Sequence, residues 1–181
     1  MNLPNLITLG RLLSVPLAVW LMLEGAFVAA FWVFVAAGIS DAIDGFVAKR
    51  FDRRTRLGAL LDPIADKTLL VAVYVTLGSA GHLPTWLVIL VVFRDLLIVG
   101  GYLLVQALSH AMRLEPLIVS KINTALQLSL AGTMLAQLGL GLEPGMAVEI
   151  LIYGVAVTTV LSGASYLVRW TRALAGLEQV S

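Results

Sequence analysis

The stretch GISDAIDGFVAKRFDRRTRLGALLDPIADK, residues 38–67, carries five aspartates, of which four, Asp41, Asp44, Asp62 and Asp66, lie on two apolar segments and the fifth, Asp52, in the short basic loop that joins them. A carboxylate at bilayer depth costs at least roughly 2.5 to 3.5 kcal/mol on insertion scales, so four of them call for a compensating cation and a function. Asp41, Asp44, Gly45 and Ala48 are spaced i, i+3, i+4, i+7, which places them on one face of a helix. Gly58, Asp62 and Asp66 do the same on the next segment.

The surrounding chain explains why these segments read as membrane helices. Of its 181 residues, 60% are hydrophobic and 13% charged, and the mean hydropathy of +0.97 excludes an ordinary water-soluble domain. Apolar stretches run over residues 4–23, 27–48, 58–79, 84–108, 117–139 and 144–168, each near the ~20 residues a spanning helix needs. Lipid offers no partners to backbone amides and nothing alternates with period two, so helices are expected throughout. The expected fold is therefore an all-α integral membrane protein: one six-helix domain over residues 1–181, with residues 1–11 as a short amphipathic juxtamembrane helix. The first thirty residues read as a span rather than a cleavable leader, because no basic stretch precedes the apolar run.

Charge sets the orientation. Arg11, Lys49, Arg50, Arg53, Arg54, Arg56, Arg113, Lys121, Arg169 and Arg172 fall at the amino end, the second loop, the fourth loop or the carboxyl end, whereas the loops around Glu24, His82 and Glu143 carry no Lys or Arg. Both termini and the aspartate-bearing loop are thus expected on the cytoplasmic side of the inner membrane. The formal net charge of +1 gives no reason to expect a nucleic-acid partner, and the absence of Cys excludes disulfides and thiolate metal sites.

The registers of the two acidic segments match. Asp44 lies five residues before Lys49 and Asp62 four after Gly58, while Asp41 and Asp66 each lie eight away. With so short a connection the two helices are expected to be antiparallel neighbours, Asp44 opposite Asp62 and Asp41 opposite Asp66, the deeper pair about 12 Å below the loop. Four converging carboxylates cannot all stay ionised without a counter-charge. Oxygen-only ligation suits Mg²⁺, Mn²⁺ or Ca²⁺ rather than zinc, and Mg²⁺ leaves positions open to substrate phosphates.

The pattern Asp41-x-x-Asp44-Gly45-x-x-Ala48-Lys49, followed by Gly58-x-x-x-Asp62-x-x-x-Asp66, resembles the signature of the CDP-alcohol phosphatidyltransferases, D-x2-D-G-x2-A-R-x8-G-x3-D-x3-D. Lys49 stands where that signature has Arg, and Arg50 follows it, so either cation is a candidate for the substrate phosphate. The resemblance implies transfer of a phosphatidyl group from CDP-diacylglycerol to an alcohol, with release of CMP. It further implies two divalent ions, Mg²⁺ or Mn²⁺, held by Asp41, Asp44, Asp62 and Asp66, and Asp66 as general base. Gly45, Ala48 and Gly58 match positions that line the CDP pocket, and a homodimer is the expected assembly.

The acceptor alcohol is sought among the remaining polar residues. Leu114-x-Pro116-x-x-x-Ser120-Lys121-x-Asn123-Thr124-Ala125-x-Gln127, with Arg94-Asp95 on the preceding helix, resembles the mitochondrial-type cardiolipin synthases, a branch of the same family. The branch implies phosphatidylglycerol as acceptor, with Arg94, Lys121, Asn123 and Gln127 as candidates to hold its phosphate. Phosphatidylglycerophosphate synthesis from glycerol 3-phosphate is the alternative within the family. A divalent-cation transporter is the alternative outside it, although residues 27–40 and 68–77 offer no Asp, Glu, His, Lys or Arg for an outward path.

Overall fold

The computed structural model describes the backbone of residues 3–51, 56–108, 117–143 and 145–178, and the side chains of residues 10, 12–40, 67–101, 117–143 and 145–171. The described residues form six helices and no strand: α1 Leu3–Leu23, α2 Phe27–Phe51, α3 Arg56–Ser79, α4 Thr85–Leu108, α5 Ile118–Leu140 and α6 Met146–Glu178. Each covers one of the six apolar stretches, and α6 continues ten residues past the expected end at 168, taking in Arg169 and Arg172. The separate juxtamembrane helix expected over residues 1–11 is replaced by a continuous α1. Pro4 falls in its first turn, where a missing amide hydrogen costs nothing, and Gly10 alone does not break the hydrogen-bond ladder.

Three of the interhelical turns share one device. The backbone turns left-handed at Gly25, Gly81 and Gly141 with φ of 74°, 78° and 65°, a conformation that side chains with a Cβ resist. At the end of α5 the Gly141 and Leu142 amides both donate to the Gln137 carbonyl, the latter at 2.9 Å, closing the helix with a left-handed cap.

The helices close into a ring. α1 packs against α2 and α3, α2 against α5, α5 against α6, α6 against α4, and α4 back against α3, with α5 also reaching α3. The core they share runs from Ala18 and Met22 through Phe34, Val73, Tyr74, Leu87 and Val91 to Leu130, Leu135 and Val155. The antiparallel pairing expected of α2 and α3, with Asp44 opposite Asp62 and Asp41 opposite Asp66, falls on side chains outside the described residues. α1 lies against both helices and buries Ala18 and Met22 in the common core.

The ring is apolar outside as well as inside. Leu13, Trp20, Trp32, Ile89, Phe93, Leu96, Ile150 and Tyr153 are each more than half exposed, far more apolar surface than water tolerates on a monomer. Among the described residues one helix, α6 over Met146–Thr171, is long and apolar enough to cross a membrane, and shorter apolar stretches cover Leu12–Leu23, Phe27–Ser40 and Lys67–Ser79.

Candidate active site

Asp41 and Asp44 lie in the second half of α2, and Asp62 and Asp66 in the first half of α3. Four residues, 52–55, join the end of α2 at Phe51 to the start of α3 at Arg56, so the acidic ends of the two helices are tied together. The side chains of all four aspartates, and those of Gly45, Ala48, Lys49, Arg50 and Gly58, lie outside the described residues. What the backbone does show is that each aspartate is helical and that the i, i+3 and i, i+4 pairs occupy one face of their helix.

Directly beside this region lies an ionic cluster drawn from four helices. Asp95 on α4 is 2% exposed and accepts from Arg94 Nη1 at 2.6 Å. Lys67, which follows Asp66 on α3, donates to Asp95 Oδ1 at 3.2 Å and to Thr124 Oγ1 on α5 at 3.2 Å. Asp95 Oδ2 is also 3.2 Å from Lys67 Nζ, close enough for charge attraction but without hydrogen-bond geometry. The rest of the Arg94 guanidinium donates to Ser120 Oγ on α5 and, at 2.6 Å, to Ser162 Oγ on α6. An arginine as buried as this one satisfies its fixed fork of donors with a carboxylate and hydroxyls, as desolvation demands.

A second polar seam joins α5 to α6 deeper in the bundle. Asn123 Oδ1 accepts from Thr158 Oγ1 at 2.8 Å and Thr159 Oγ1 at 2.9 Å, and Asn123 is wholly buried. Gln127, one turn on, is equally buried; its backbone carbonyl accepts from the Tyr74 hydroxyl at 3.1 Å, while its side-chain amide finds no partner among the described residues.

These contacts divide the four acceptor candidates. Arg94 spends its donors on Asp95, Ser120 and Ser162. Asn123 and Gln127 face the interior, and Lys121 is exposed at the start of α5. Ser162, Thr158 and Thr159, and the link from Lys67 to Asp95, went unremarked in the sequence. The i, i+4 spacing of Thr158 and Ser162 within an apolar span was the available signal.

Compared with known protein families, residues 1–161 match the model described as CDP-alcohol phosphatidyltransferase, a span that contains every aspartate of the site. The chain belongs to the CDP-alcohol phosphatidyltransferase family. Among individual members of this family it is 37% identical over 182 residues to the Schizosaccharomyces pombe cardiolipin synthase (CMP-forming) / mitochondrial hydrolase fusion protein, covering 92% of this chain and 31% of that protein. It is 32% identical over 181 residues to the Homo sapiens cardiolipin synthase (CMP-forming), 91% of this chain and 60% of the relative. A probable phosphatidylglycerophosphate synthase of Mycobacterium tuberculosis is 31% identical over 186 residues, 99% of this chain and 87% of the relative. The chain therefore spans less than two thirds of these two cardiolipin synthases, and most of this mycobacterial phosphatidyltransferase.

Proposed function

We propose that this protein transfers the phosphatidyl group of CDP-diacylglycerol to phosphatidylglycerol, giving cardiolipin and CMP, as a single membrane domain of six spans with both termini and the active site on the cytoplasmic face of the inner membrane. The observation that carries the reading is the family's aspartate pattern falling on two helices whose acidic ends are tied by four residues. Six helices with an apolar exterior support the membrane setting. Likeness to cardiolipin synthases favours the acceptor.

The donor set of Asp41, Asp44, Asp62 and Asp66 is all hard oxygen and fits Mg²⁺ or Mn²⁺. Bound there, two such ions supply charge neutralisation for the pyrophosphate and for departing CMP. Lys49 or Arg50 holds a donor phosphate, while Gly45, Ala48 and Gly58 leave room for the nucleotide. Asp66 takes the proton of the acceptor hydroxyl as its oxygen bonds to the phosphatidyl phosphorus and the bond to CMP breaks. Exposed Lys121 is the cation offered to the acceptor phosphate, since the buried Arg94 is already engaged. The homodimer is part of the same reading and is tested by cross-linking in the membrane.

One observation favours a second acceptor: a probable phosphatidylglycerophosphate synthase is covered by this chain over 87% of its length. Glycerol 3-phosphate is small and dianionic. Purified protein given CDP-diacylglycerol, Mg²⁺ or Mn²⁺, and each alcohol in turn separates the two by CMP release and by the mass of the lipid product. Cardiolipin formed from phosphatidylglycerol supports the proposal. Turnover with glycerol 3-phosphate alone replaces the acceptor, and full activity in excess chelator overturns the metal-dependent scheme.

A further inference from the structure

Asp95 is the one carboxylate in the described cluster, and it is shared by two cations from two helices. Through Arg94 it reaches Ser120 and Ser162; through Lys67 it reaches α3 and Thr124. Lys67 is the residue immediately after Asp66. Asp62 and Asp66 occupy one face of α3, and position 67 lies about 100° round the same turn. Whatever fixes the azimuth of Lys67 fixes that of both aspartates.

We propose that Asp95 is a positioning residue: by clamping Lys67 onto α4 and α5 it sets the rotation of α3, and with it the placement of Asp62 and Asp66 in the active site. The inference rests on the proposed function for its catalytic consequence. A side chain tip lies about 5 Å from a helix axis, so a 20° turn of α3 carries a carboxylate about 2 Å. Displacements of about 1 Å at a reacting centre can cost on the order of a hundredfold in rate. Buried Leu69, Leu70, Val73, Tyr74 and Leu77, with the Tyr74 hydroxyl donating to the Gln127 carbonyl at 3.1 Å, hold the second half of α3, and Lys67 adds a constraint on rotation at the end nearer the aspartates. An ion pair with directional donors to two neighbouring helices resists it strongly.

Lys67→Met tests the clamp while leaving the Arg94–Asp95 pair intact, so no buried carboxylate is stranded. The expected result is a kcat for CMP release lowered 10- to 100-fold with the KM for CDP-diacylglycerol changed less than about threefold. Lys67→Arg, which can still reach Asp95 and Thr124, should recover most of the rate. The double variant Lys67→Met with Asp95→Asn should lose no more than the worse single. A kcat within twofold of wild type, a raised KM at constant kcat, or losses that multiply in the double variant overturns the proposal. If Lys67→Met does not fold, Asp95→Glu lengthens the clamp by one methylene and is read by the same criteria. The chain has no Cys, so nitroxides at Leu13→Cys on α1 and Val75→Cys on α3, both exposed, report the rotation directly. Lys67→Met should shift or broaden that distance by about 2 Å, and an unchanged distribution refutes the clamp. Wild-type protein inactive with both alcohols would refute the proposed function, and the spin-label distance would still decide the clamp.

Discussion

Replacing Asn123 with alanine is expected to destabilise the folded bundle by about 2 kcal/mol. The Asn123 carboxamide oxygen takes two hydroxyl donors, Thr158 at 2.8 Å and Thr159 at 2.9 Å, and the residue has no solvent exposure. Interhelical hydrogen bonds in membrane proteins average about 0.6 kcal/mol each, so two contribute about 1.2 kcal/mol. The void left in a fully buried site adds about 1 kcal/mol. Together this is roughly a thirtyfold change in the folding equilibrium. Reversible unfolding in mixed micelles, followed by tryptophan fluorescence, measures it. The structure also orders the partners. Thr158 has second acceptors in the Gly154 and Val155 carbonyls, whereas the Thr159 hydroxyl donates to Asn123 alone among the described residues. Thr159→Val added to Asn123→Ala should therefore cost almost nothing more. A loss below about 0.5 kcal/mol for Asn123→Ala, or single losses that simply add in the double variant, would refute the seam as an energetic link between α5 and α6.

Asp66→Asn should lower kcat by roughly 10²- to 10⁴-fold while CDP-diacylglycerol binding changes little, since it removes a base while an amide oxygen remains as a weaker ligand; CMP release and nucleotide binding measure the two separately. Gly139→Ala would set a Cβ 2.9 Å from the Val28 backbone nitrogen, where α5 meets the start of α2. It should cost about 1–3 kcal/mol in the same unfolding assay. Lys121→Ala should raise the KM for the acceptor with kcat retained; an unchanged KM returns Lys121 to a surface role, its stem along apolar chain and its charge in the headgroup layer.

The helices were legible because apolar runs of spanning length end at charged or glycine-bearing loops, and Gly25, Gly81 and Gly141 mark three of those ends. Their neighbours were not. With apolar residues on every side of each helix, no stripe distinguishes a face toward protein from one toward lipid, and the order of the helices around the ring left no trace in periodicity. The aspartate pattern was readable from spacing alone. The function of Arg94 was not, since an arginine in an apolar span reads equally as a ligand contact or as an internal ion pair. Its partners at Asp95, Ser120 and Ser162 became visible once four helices were placed in space. Lys67 was obscured for the same reason: its carboxylate lies 28 positions further along the chain.

The order of the helices around the ring has a consequence for biogenesis. As the polypeptide leaves the ribosome, α1 can gather α2 and α3 as soon as they enter the bilayer, yet the other flank of α2 waits for α5 and the other flank of α4 waits for α6. A three-helix intermediate thus holds all four aspartates before the cations and hydroxyls of the later segments arrive. Translation stalled between α3 and α4 would leave those carboxylates in a half-built bundle, the stage at which membrane quality control has the most to recognise.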